Sequence, residues 1–406
     1  MAMGKCISCG AAALTPVMSL GTTPLANALL AKADLSAAEA RFPLDLVFCG
    51  QCAMVQITEF VPPAMLFSDY AYFSSFSDTI VAAAKKLAGR LVETRRLGAG
   101  SLVVELASND GYLLQHYVAA GVPVLGIEPA ANIAKVANER GIRTRSEFFG
   151  LECAQRLVAE GLSADVVHAN NVLAHVPDLN GFVAGIAAVL KPDGVAVIEA
   201  PYARDMIEKC EFDTIYHEHL CYFSVSALVP LFARHGLALA DIKRIPVHGG
   251  SLRLFASRSA KQGAAVSKLL AEERAAGMLD AGYYAGFAGR VEALRAALVA
   301  LLAGLKAQGK RIAAYGASAK GSTLLNYFGI GGETLEYVVD RSTEKQGRYT
   351  PGTRLPILAP AHLLEDNPDY LLLLSWNFLD EVLEQQAAYR ATGGKFIVPV
   401  PEVRVV

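Results

Sequence analysis

Two histidines, a glutamate and two tyrosines fall within seven positions of the run Tyr216-His217-Glu218-His219-Leu220-Cys221-Tyr222. Groups of this kind are costly to bury together unless they satisfy one another's hydrogen bonds. Such a density of titratable groups beside a ligand crevice is what general acid–base catalysis requires. The alternatives are a structural hydrogen-bond network and a metal site, although the run lacks a third ligand at helical spacing and is not H-E-x-x-H. Acid–base chemistry is therefore the prediction.

A buried-strand pattern, Val103-Val104-Glu105-Leu106, runs directly into the small polar turn Ala107-Ser108-Asn109-Asp110-Gly111. A second apolar strand follows and ends in the acid of Glu128-Pro129. A small turn permits close approach of a cofactor to the backbone, and the later acid can accept hydrogen bonds from ribose hydroxyls. The predicted cofactor-binding residues are Glu105, Ala107, Asn109, Asp110, Gly111, Glu128 and Pro129.

The charge of this turn distinguishes between two cofactors. A dinucleotide would call for G-x-G-x-x-G, which places a pyrophosphate on a helix N-terminus, and that motif is missing here. Carboxylates beside the turn suit a ligand with a cationic end that carries no phosphate. The sequence therefore predicts S-adenosylmethionine (SAM), with its ammonium and sulfonium groups, ahead of NAD.

A third buried strand, Asp165–Ala169, leads into polar residues that extend this site. Strand ends of a parallel sheet point polar side chains into the ligand crevice. Asn170, Asn171 and His175 are thus candidates for lining the methyl-donor pocket. An equal alternative for His175 is that it caps or packs within the next helix.

Four of the seven cysteines form two C-x-x-C pairs, Cys6 with Cys9 and Cys49 with Cys52. Two such knuckles carry four thiolates onto one tetrahedral zinc ion, and four protein ligands leave no open position for catalysis. A structural zinc site is predicted over disulfides or a redox pair. Because the gap between the pairs is long, we expect an insertion from Thr22 to Phe42 to loop out.

Alternating strand and helix patterns define the fold class. Strands are predicted at Leu102–Leu106, Pro123–Ile127, Asp165–Ala169 and Val195–Ala200, with an antiparallel ribbon from Ala238–Arg244 and Ser251–Ser257. The alternation indicates an α/β protein with a Rossmann-like, mostly parallel seven-stranded sheet. A long helical region from Lys261 to Ala307 precedes a second Rossmann-like α/β pattern. The predicted domains are a zinc module (1–65), a central domain (66–260) and a C-terminal domain (261–406).

The composition limits the classes of partner that the protein can bind and the cellular compartment in which we expect it. The 406 residues include 37 basic and 39 acidic side chains, a balance that argues against a nucleic-acid surface. No apolar run reaches the length of a membrane span, although hydrophobic residues make up 53%. The first residues, Met1-Ala2-Met3-Gly4-Lys5-Cys6, show no apolar signal segment. We expect a cytoplasmic protein with no nucleic-acid or membrane partner; the sequence is compatible with a monomer and leaves the oligomeric state open.

The turn Gly316-Ala317-Ser318-Ala319-Lys320-Gly321 again follows a buried strand. Small residues with Ser318 and Lys320 would suit a nucleotide diphosphate, since backbone amides and an ammonium can face its oxygens. A helix-start turn with a solvated lysine is an equal alternative.

Taken together, these segments resemble SAM-dependent C-methyltransferases that act on nucleotide-linked 4-keto deoxysugars. The shared segments run in the family's order and cover essentially the whole chain. They are the two cysteine knuckles, Tyr70-Ala71-Tyr72-Phe73-Ser74-Ser75, Ser108-Asn109-Asp110-Gly111, Tyr216-His217-Glu218-His219, His248-Gly249-Gly250-Ser251-Leu252-Arg253 and Tyr315-Gly316-Ala317-Ser318-Ala319-Lys320-Gly321. One departure is Ala107, where glycine is more usual; an alanine adds only a methyl group, and we expect SAM to fit.

The resemblance implies roles for individual residues. His219 is implied to be the base that removes the C3 proton, with Glu218 orienting it and with Tyr216 and Tyr70 stabilising the enolate oxygen. Tyr216 is the alternative proton acceptor. The enolate carbon would then attack the SAM methyl group in line. The implied substrate residues are Tyr70, Tyr72, Tyr222, His248, Ser251, Arg253, Ser318 and Lys320. The alternative for Tyr70 is a packing aromatic residue.

The implied substrate is a sugar nucleotide, with thymidine diphosphate as the usual carrier and GDP or CDP as alternatives. Two other functions compete with it. One is a SAM methyltransferase whose zinc ribbon holds a heteroatom or macromolecular acceptor, although the knuckles have few basic neighbours. The other is a non-catalytic zinc-binding assembly protein, which would not need Tyr216 to His219.

Overall fold

The N-terminal segment folds around an antiparallel sheet that a later part of the chain completes. The computed structural model of the protein describes residues 4–67, 73–246 and 249–406. The first three strands are β1 (Leu14–Pro24), β2 (Arg41–Cys49) and β3 (Val55–Ile57). The fourth strand, Cys221–Tyr222, comes from the central part of the chain and pairs with β3. The zinc module therefore does not close its sheet by itself.

The segment between β1 and β2 does not loop out as predicted. Thr22 and Phe42 belong to the paired strands themselves. Between them, the backbone of Leu30 bridges to Tyr349. The carboxylate of Glu39 accepts hydrogen bonds from the backbone N–H of Gly352 and from Arg354. The insertion is thus packed against the C-terminal domain, which satisfies its polar groups.

The central sheet carries the predicted cofactor turn. Its strands are β4 (Val103–Leu106), β5 (Val124–Ile127), β6 (Thr144–Arg145), β7 (Ala164–Asn170), β8 (Leu190–Pro201), β10 (Ala238–Ile245) and β11 (Ser251–Ser257), with Cys221–Tyr222 as β9. The strand order is β10-β11-β8-β7-β4-β5-β6. β4 to β8 pair in parallel, whereas β10 and β11 pair antiparallel at one edge. The predicted mostly parallel seven-stranded sheet and its antiparallel ribbon are confirmed.

Helices cover both faces of this sheet, as the strand–helix alternation predicts. They are α1 (Pro63–Phe67), α2 (Asp78–Arg95), α3 (Leu114–Ala119), α4 (Ala131–Glu139), α5 (Leu151–Ala159), α6 (Leu179–Val189), α7 (Ala203–Glu208) and α8 (Val225–Ala233). α2 begins after Ser77, whose hydroxyl accepts from the N–H of Ile80. The strands are apolar on both faces because both faces are covered.

The long helical region that the sequence predicts from Lys261 to Ala307 is two helices. They are α9 (Ala264–Ala275) and α10 (Phe287–Ala307). Gly277 adopts φ of +83°, a left-handed conformation that ends α9 as a C-terminal cap. Met278 follows with its side chain fully buried, so the chain turns back onto the core. The glycine and the buried methionine explain the break.

The C-terminal domain is a second parallel α/β unit, as predicted. Its strands are β12 (Ile312–Tyr315), β13 (Val338–Val339), β14 (Ile357–Leu358), β15 (Tyr370–Leu373), β16 (Lys395–Val398) and β17 (Arg404–Val405). Its helices are α11 (Ala319–Phe328), α12 (His362–Asp366), α13 (Leu379–Gln385) and α14 (Ala387–Ala391). The order is β14-β13-β12-β15-β16-β17, in which only β17 runs antiparallel. None of the described helices combines the length and apolar character that a membrane crossing needs.

A buried histidine in the central sheet makes stability depend on pH. His168 lies on β7 beside Glu105 of β4, and its Nε2 is 2.8 Å from the hydroxyl oxygen of Tyr117. Burial lowers the pKa of His168 to about 3. In the unfolded chain the imidazole of His168 takes up a proton below its ordinary pKa of about 6.5. In the folded chain it stays neutral until the pH approaches 3, so the unfolded state binds more protons between these values.

We predict that His168 makes the protein less stable by about 2 kcal/mol between pH 7 and pH 5. Urea unfolding of the wild type and of His168→Gln at both pH values gives four free energies of unfolding. The contribution of His168 is the change between the two pH values in the wild type minus the same change in the variant. The comparison is needed because burial raises the pKa of Glu105, so that the stabilising effect of Glu105 is instead lost as pH rises. Between pH 8 and pH 9 the two stability curves should run parallel; parallel curves down to pH 5 would contradict the prediction.

Candidate functional site

A cavity of about 1120 Å³ lies where the central and C-terminal sheets face each other. Each sheet has a point at which the strand order reverses. The reversal lies at β4, which stands between β5 and β7, and at β12, which stands between β13 and β15. Ligands of open α/β sheets bind at the carboxyl ends of strands at such switch points. Residues after β4, β7, β12 and β15 all line the cavity. This volume exceeds that of a typical pocket for one small ligand, so two ligands can share it.

The central crevice has hydrogen-bond acceptors that suit SAM. Glu128 follows β5, and its two carboxylate oxygens accept from the N–H groups of Asn109 and Ala130 at 2.8 and 2.9 Å. Each oxygen retains a second lone-pair site for a ribose hydroxyl. The side-chain oxygens of Asn170 and Asn171 are buried and have no hydrogen-bond partner among the described residues. A ligand with hydroxyl and ammonium donors fits these acceptors.

The backbone of the first turn is held in an unusual conformation. Ala107 and Asn109 both have φ of +51°, in the left-handed region. For a residue with a Cβ this conformation costs roughly 1–2 kcal/mol. Glycine would adopt this conformation without that cost, which is a physical reason to expect glycine at position 107. Ala107, Asn109 and Pro129 line the cavity.

Three predicted cofactor residues lie behind this wall. Glu105 is buried in the sheet, where desolvation and the charge of Glu128 raise its pKa well above the usual range. Asp110 accepts hydrogen bonds from Arg140 and from the hydroxyl of Ser75. Gly111, at φ of +79°, packs against Ile142, where a Cβ would lie 2.3 Å from the Ile142 Cδ1 atom. All three shape the turn rather than line the cavity.

The geometry of His219 fixes which ring nitrogen carries the proton. Its Nδ1 lies 2.8 Å from the carbonyl oxygen of Thr214. A carbonyl oxygen only accepts, so Nδ1 is the donor and the neutral ring has an unprotonated Nε2. The Tyr216 hydroxyl lies 2.9 Å from Nε2 and donates to it. Both side chains line the cavity. His219 thus presents a basic nitrogen that is hydrogen-bonded to a phenol.

His175 forms the other side of this aromatic cluster. It lies in the single 3-10 turn Leu173–His175 after β7 and lines the cavity. Its ring meets that of His219 edge to face, with 4.8 Å between the centroids. Burial lowers the pKa of His175 to about 4, so the ring is neutral at pH 7. A neutral neighbour does not oppose protonation of His219.

The buried side of the cluster contains Glu218 and Tyr222. The Tyr222 hydroxyl donates to the same Thr214 carbonyl oxygen at 3.3 Å, so the side chain lies behind the base and not in the cavity wall. Glu218 Oε1 accepts from Nδ2 of Asn27 at 2.7 Å. Asn27 lines the cavity and belongs to the N-terminal insertion. No motif in the sequence marks Asn27, which lies 191 positions from its partner.

The antiparallel edge contributes one predicted substrate residue. Arg253 lines the cavity, and its Nε donates to Glu199 Oε1 at 2.6 Å across paired strands. Ser251 is fully buried on the same strand and is not part of the wall. Tyr70, Tyr72 and His248 lie outside the residues that the structure describes.

The C-terminal crevice contains two lysines. Lys320 lines the cavity, with its Nζ 4.7 Å from the ring centroid of Trp376. Lys345, which the sequence analysis missed, also lines it and donates to the carbonyl oxygen of Ala317 at 2.9 Å. Ser318 caps α11 by accepting from the N–H of Gly321, and Asp340 accepts from the N–H of Ala317. Because these two amides are occupied, the lysines are the main groups for an anion.

The four predicted zinc ligands come together. All four Sγ atoms lie within 4.8 Å of one another, with Cys6 to Cys52 at 3.5 Å and Cys9 to Cys49 at 3.7 Å. Sulfurs about 2.3 Å from a central zinc ion in a tetrahedron are about 3.8 Å apart. Ser8, between the first two cysteines, accepts from Arg234 of the central domain. The knuckles thus fit zinc and fasten the N-terminal module to the central domain.

Most predicted site residues converge on this one cavity. Those in its wall are Ala107, Asn109, Glu128, Pro129, Asn170, Asn171, His175, Tyr216, His219, Arg253, Ser318 and Lys320. Glu105, Asp110, Gly111, Glu218, Tyr222 and Ser251 support the wall from behind.

Three family models match successive parts of the chain. A zinc binding domain matches residues 6–67, a methyltransferase domain matches 81–242, and a C-methyltransferase C-terminal domain matches 246–401. The matches leave little of the chain uncovered and follow the order of the three sheets.

Two relatives and one solved structure are similar to this chain. The C-methyltransferase NovU from Streptomyces niveus is 39% identical over 405 residues, which cover 99% of this chain and 96% of that protein. A ubiquinone biosynthesis O-methyltransferase from Burkholderia thailandensis is 29% identical over 169 residues, covering 37% of this chain and 69% of that protein. Magnesium protoporphyrin IX methyltransferase from Synechocystis PCC 6803 with bound SAM covers 44% of this chain and 79% of its own, at 16% identity and a TM-score of 0.35. That TM-score is too low to support a structural conclusion.

We predict that Cys52→Ser lowers the zinc content from one ion per chain to a small fraction. Loss of a ligand from a closed four-cysteine site removes folding free energy, so the melting temperature should also fall. Metal analysis and thermal unfolding measure the two effects. Cys153→Ser, which changes a buried cysteine outside the cluster, is the matched control and should retain its zinc. Full zinc occupancy in Cys52→Ser would contradict the assignment.

Proposed function

Since the chain belongs to the family of SAM-dependent C-methyltransferases, we propose that it methylates C3 of a nucleotide-linked 4-keto deoxysugar, with thymidine diphosphate as the carrier. The observation that carries this proposal is the basic Nε2 of His219 in a cavity formed by two facing sheets. Methyl transfer to carbon needs a carbon nucleophile, and a base beside a ketone can generate one as an enolate.

Both cofactors have residues that fit them. The four cysteines hold zinc, which has a structural role because protein ligands fill its coordination shell. Glu128, Asn170 and Asn171 would hold SAM in the central crevice. When bound, SAM supplies an electrophilic methyl group that the substrate carbon accepts.

The proposed base step uses groups that are already oriented. The Thr214 carbonyl fixes the ring of His219, so that Nε2 takes the C3 proton and the resulting imidazolium is stabilised at Nδ1–H. Tyr216, beside that nitrogen, donates to Nε2 in the resting enzyme and can turn its hydroxyl to the enolate oxygen. A donor aimed at a developing oxyanion contributes a few kcal/mol of transition-state stabilisation, typically about 3. Tyr70 has the same proposed role by resemblance.

The proposed sugar nucleotide spans the two crevices. Its keto sugar lies beside His219, and its diphosphate lies near Lys320 and Lys345 at the start of α11. Two ammonium groups and a helix N-terminus complement the negative charge of the phosphates. The bond from Arg253 to Glu199 uses the Nε–H group. The other N–H groups of the guanidinium can donate to an acceptor of the substrate. The domain division at residues 65 and 260 remains part of this proposal.

His219→Asn should lower the rate of C3 proton exchange by at least about a hundredfold, the usual contribution of a general base. The measurement is deuterium incorporation from solvent into a thymidine diphosphate-linked 4-keto deoxysugar, followed by mass gain of one methyl group when SAM is added. SAM affinity by calorimetry should stay within about twofold.

Tyr216→Phe provides the companion variant, since it retains Nε2 and loses only the phenol. Its exchange rate should fall less than that of His219→Asn. Unchanged exchange in His219→Asn would remove the base assignment. Absence of exchange in the wild type on every keto sugar nucleotide would remove the proposed reaction.

Asn27→Ala should lower kcat by about tenfold to a hundredfold, because Glu218 loses a hydrogen bond of about 1.5–3 kcal/mol. The control is Lys32→Ala, an exposed position in the same insertion that does not line the cavity. Steady-state methylation measures both. A wild-type rate in both variants would show that the Asn27 side chain has no part in the reaction.

A further inference from the structure

The lysine at the start of α11 is connected to the turn that orients the base. Lys320 Nζ stands 4.7 Å above the ring of Trp376, within the range of a cation–π interaction. The indole N–H of Trp376 donates to Asp213 Oδ2 at 2.6 Å. Asp213 immediately precedes Thr214, whose carbonyl fixes the tautomer of His219. Two contacts therefore separate Lys320 from the base-orienting turn.

This connection crosses the boundary between two domains in a buried environment. Asp213 is fully buried, and its second carboxylate oxygen has no hydrogen-bond partner among the described residues. Burial raises the pKa of Asp213, whereas the Lys320 ammonium and the Trp376 N–H oppose that rise. A buried carboxyl group is strongly affected by the loss of a hydrogen bond or of a nearby cation.

The same helix supports the turn at two more points. The ring of Phe212 stacks on that of Phe328 with 4.7 Å between centroids. The hydroxyl of Thr323 donates to the carbonyl oxygen of Ile215 at 3.2 Å. The turn Phe212–Thr214 thus rests on α11, so a shift of the helix start alters the support of the Thr214 carbonyl.

We propose that Trp376 and Asp213 are positioning residues that couple occupancy of Lys320 by the substrate diphosphate to the orientation of His219. An anion at Lys320 draws the ammonium away from the indole face and the buried carboxyl group, and Asp213 and the adjoining turn adjust. This inference rests on the proposed sugar-nucleotide substrate. It adds a second role for diphosphate recognition: besides holding the substrate, the diphosphate changes the orientation of His219.

Trp376 is the only tryptophan of the chain, so its fluorescence reports directly on this contact. Titration of the wild type with thymidine diphosphate should change the emission of Trp376, and thymidine, which lacks phosphates, should not change it. Lys320→Met should abolish the emission change and weaken binding of the diphosphate. The protein is used as the full-length zinc-loaded chain.

The coupling itself is tested by a double-mutant cycle on the C3 exchange rate. Asp213→Asn, which retains an acceptor for the indole N–H, should lower kcat for exchange about tenfold and change KM less than threefold. In a Lys320→Met background the same substitution should change kcat less than twofold, since its effect acts through Lys320. Trp376→Phe, which retains a ring but loses the N–H, should behave like Asp213→Asn.

The control is Asp366→Asn, which removes another carboxylate that accepts from an aromatic side chain, Tyr337, away from the cavity. It should leave exchange unchanged. Additive effects of Asp213→Asn and Lys320→Met, or a wild-type rate in Trp376→Phe, would overturn the coupling while leaving the proposed substrate intact. Absence of thymidine, guanosine or cytidine diphosphate binding to the wild type by calorimetry would overturn both.

Discussion

The hydrogen bond between His219 Nδ1 and the Thr214 carbonyl is the constraint on which the proposed chemistry of this protein rests. A carbonyl oxygen accepts and never donates, so the bond leaves Nε2 free of its proton in the neutral ring. The opposite tautomer would break the bond and leave two buried acceptors, Nδ1 and the Thr214 carbonyl oxygen, facing each other. Orientation and basicity therefore come from one backbone atom, and the surrounding aromatic rings restrict the imidazole to that position.

Three separate parts of the chain support this small centre. The central domain provides His219, the N-terminal insertion provides Asn27 to Glu218, and α11 of the C-terminal domain supports the turn at Thr214. Contacts away from this centre hold the three parts together. The cysteine cluster joins the N-terminal module to the central domain, and the insertion packs against the C-terminal domain. Small displacements in any one part can therefore reach His219, the proposed base. This arrangement explains why a structural metal belongs to an enzyme whose chemistry does not use one.

The sequence was most informative where a local pattern determines structure. The parallel strands stand out as apolar runs because both of their faces are buried, and the four cysteines because zinc dictates their spacing. The cavity residues after β4, β5 and β7 follow from strand ends in the same way. What could not be predicted depends on contacts between distant residues. Asn27 meets Glu218, and Trp376 meets Asp213, across more than 160 positions, with no motif at either end.

Some predictions failed for equally physical reasons. The insertion was expected to loop out because the gap between the cysteine pairs is long, yet its backbone pairs with Tyr349 and its acid Glu39 binds a backbone N–H. Tyr222 belongs to the reactive run by sequence, but strand pairing with Val55 turns its side chain away from the cavity. Spacing along the chain identifies the groups that share a region. The sheet then decides which of them face the ligand.

The pairing of β3 with β9 has a consequence for how the chain is made. Val55 leaves the ribosome about 170 residues before its partner Tyr222, so the newly made N-terminal sheet has an open edge for much of synthesis. An unpaired edge strand can pair with another chain. At roughly 5–20 residues per second this interval lasts on the order of 10 to 30 seconds. Early capture of zinc by the nearby cysteines would hold the strands together during that time, which makes metal supply a determinant of folding yield.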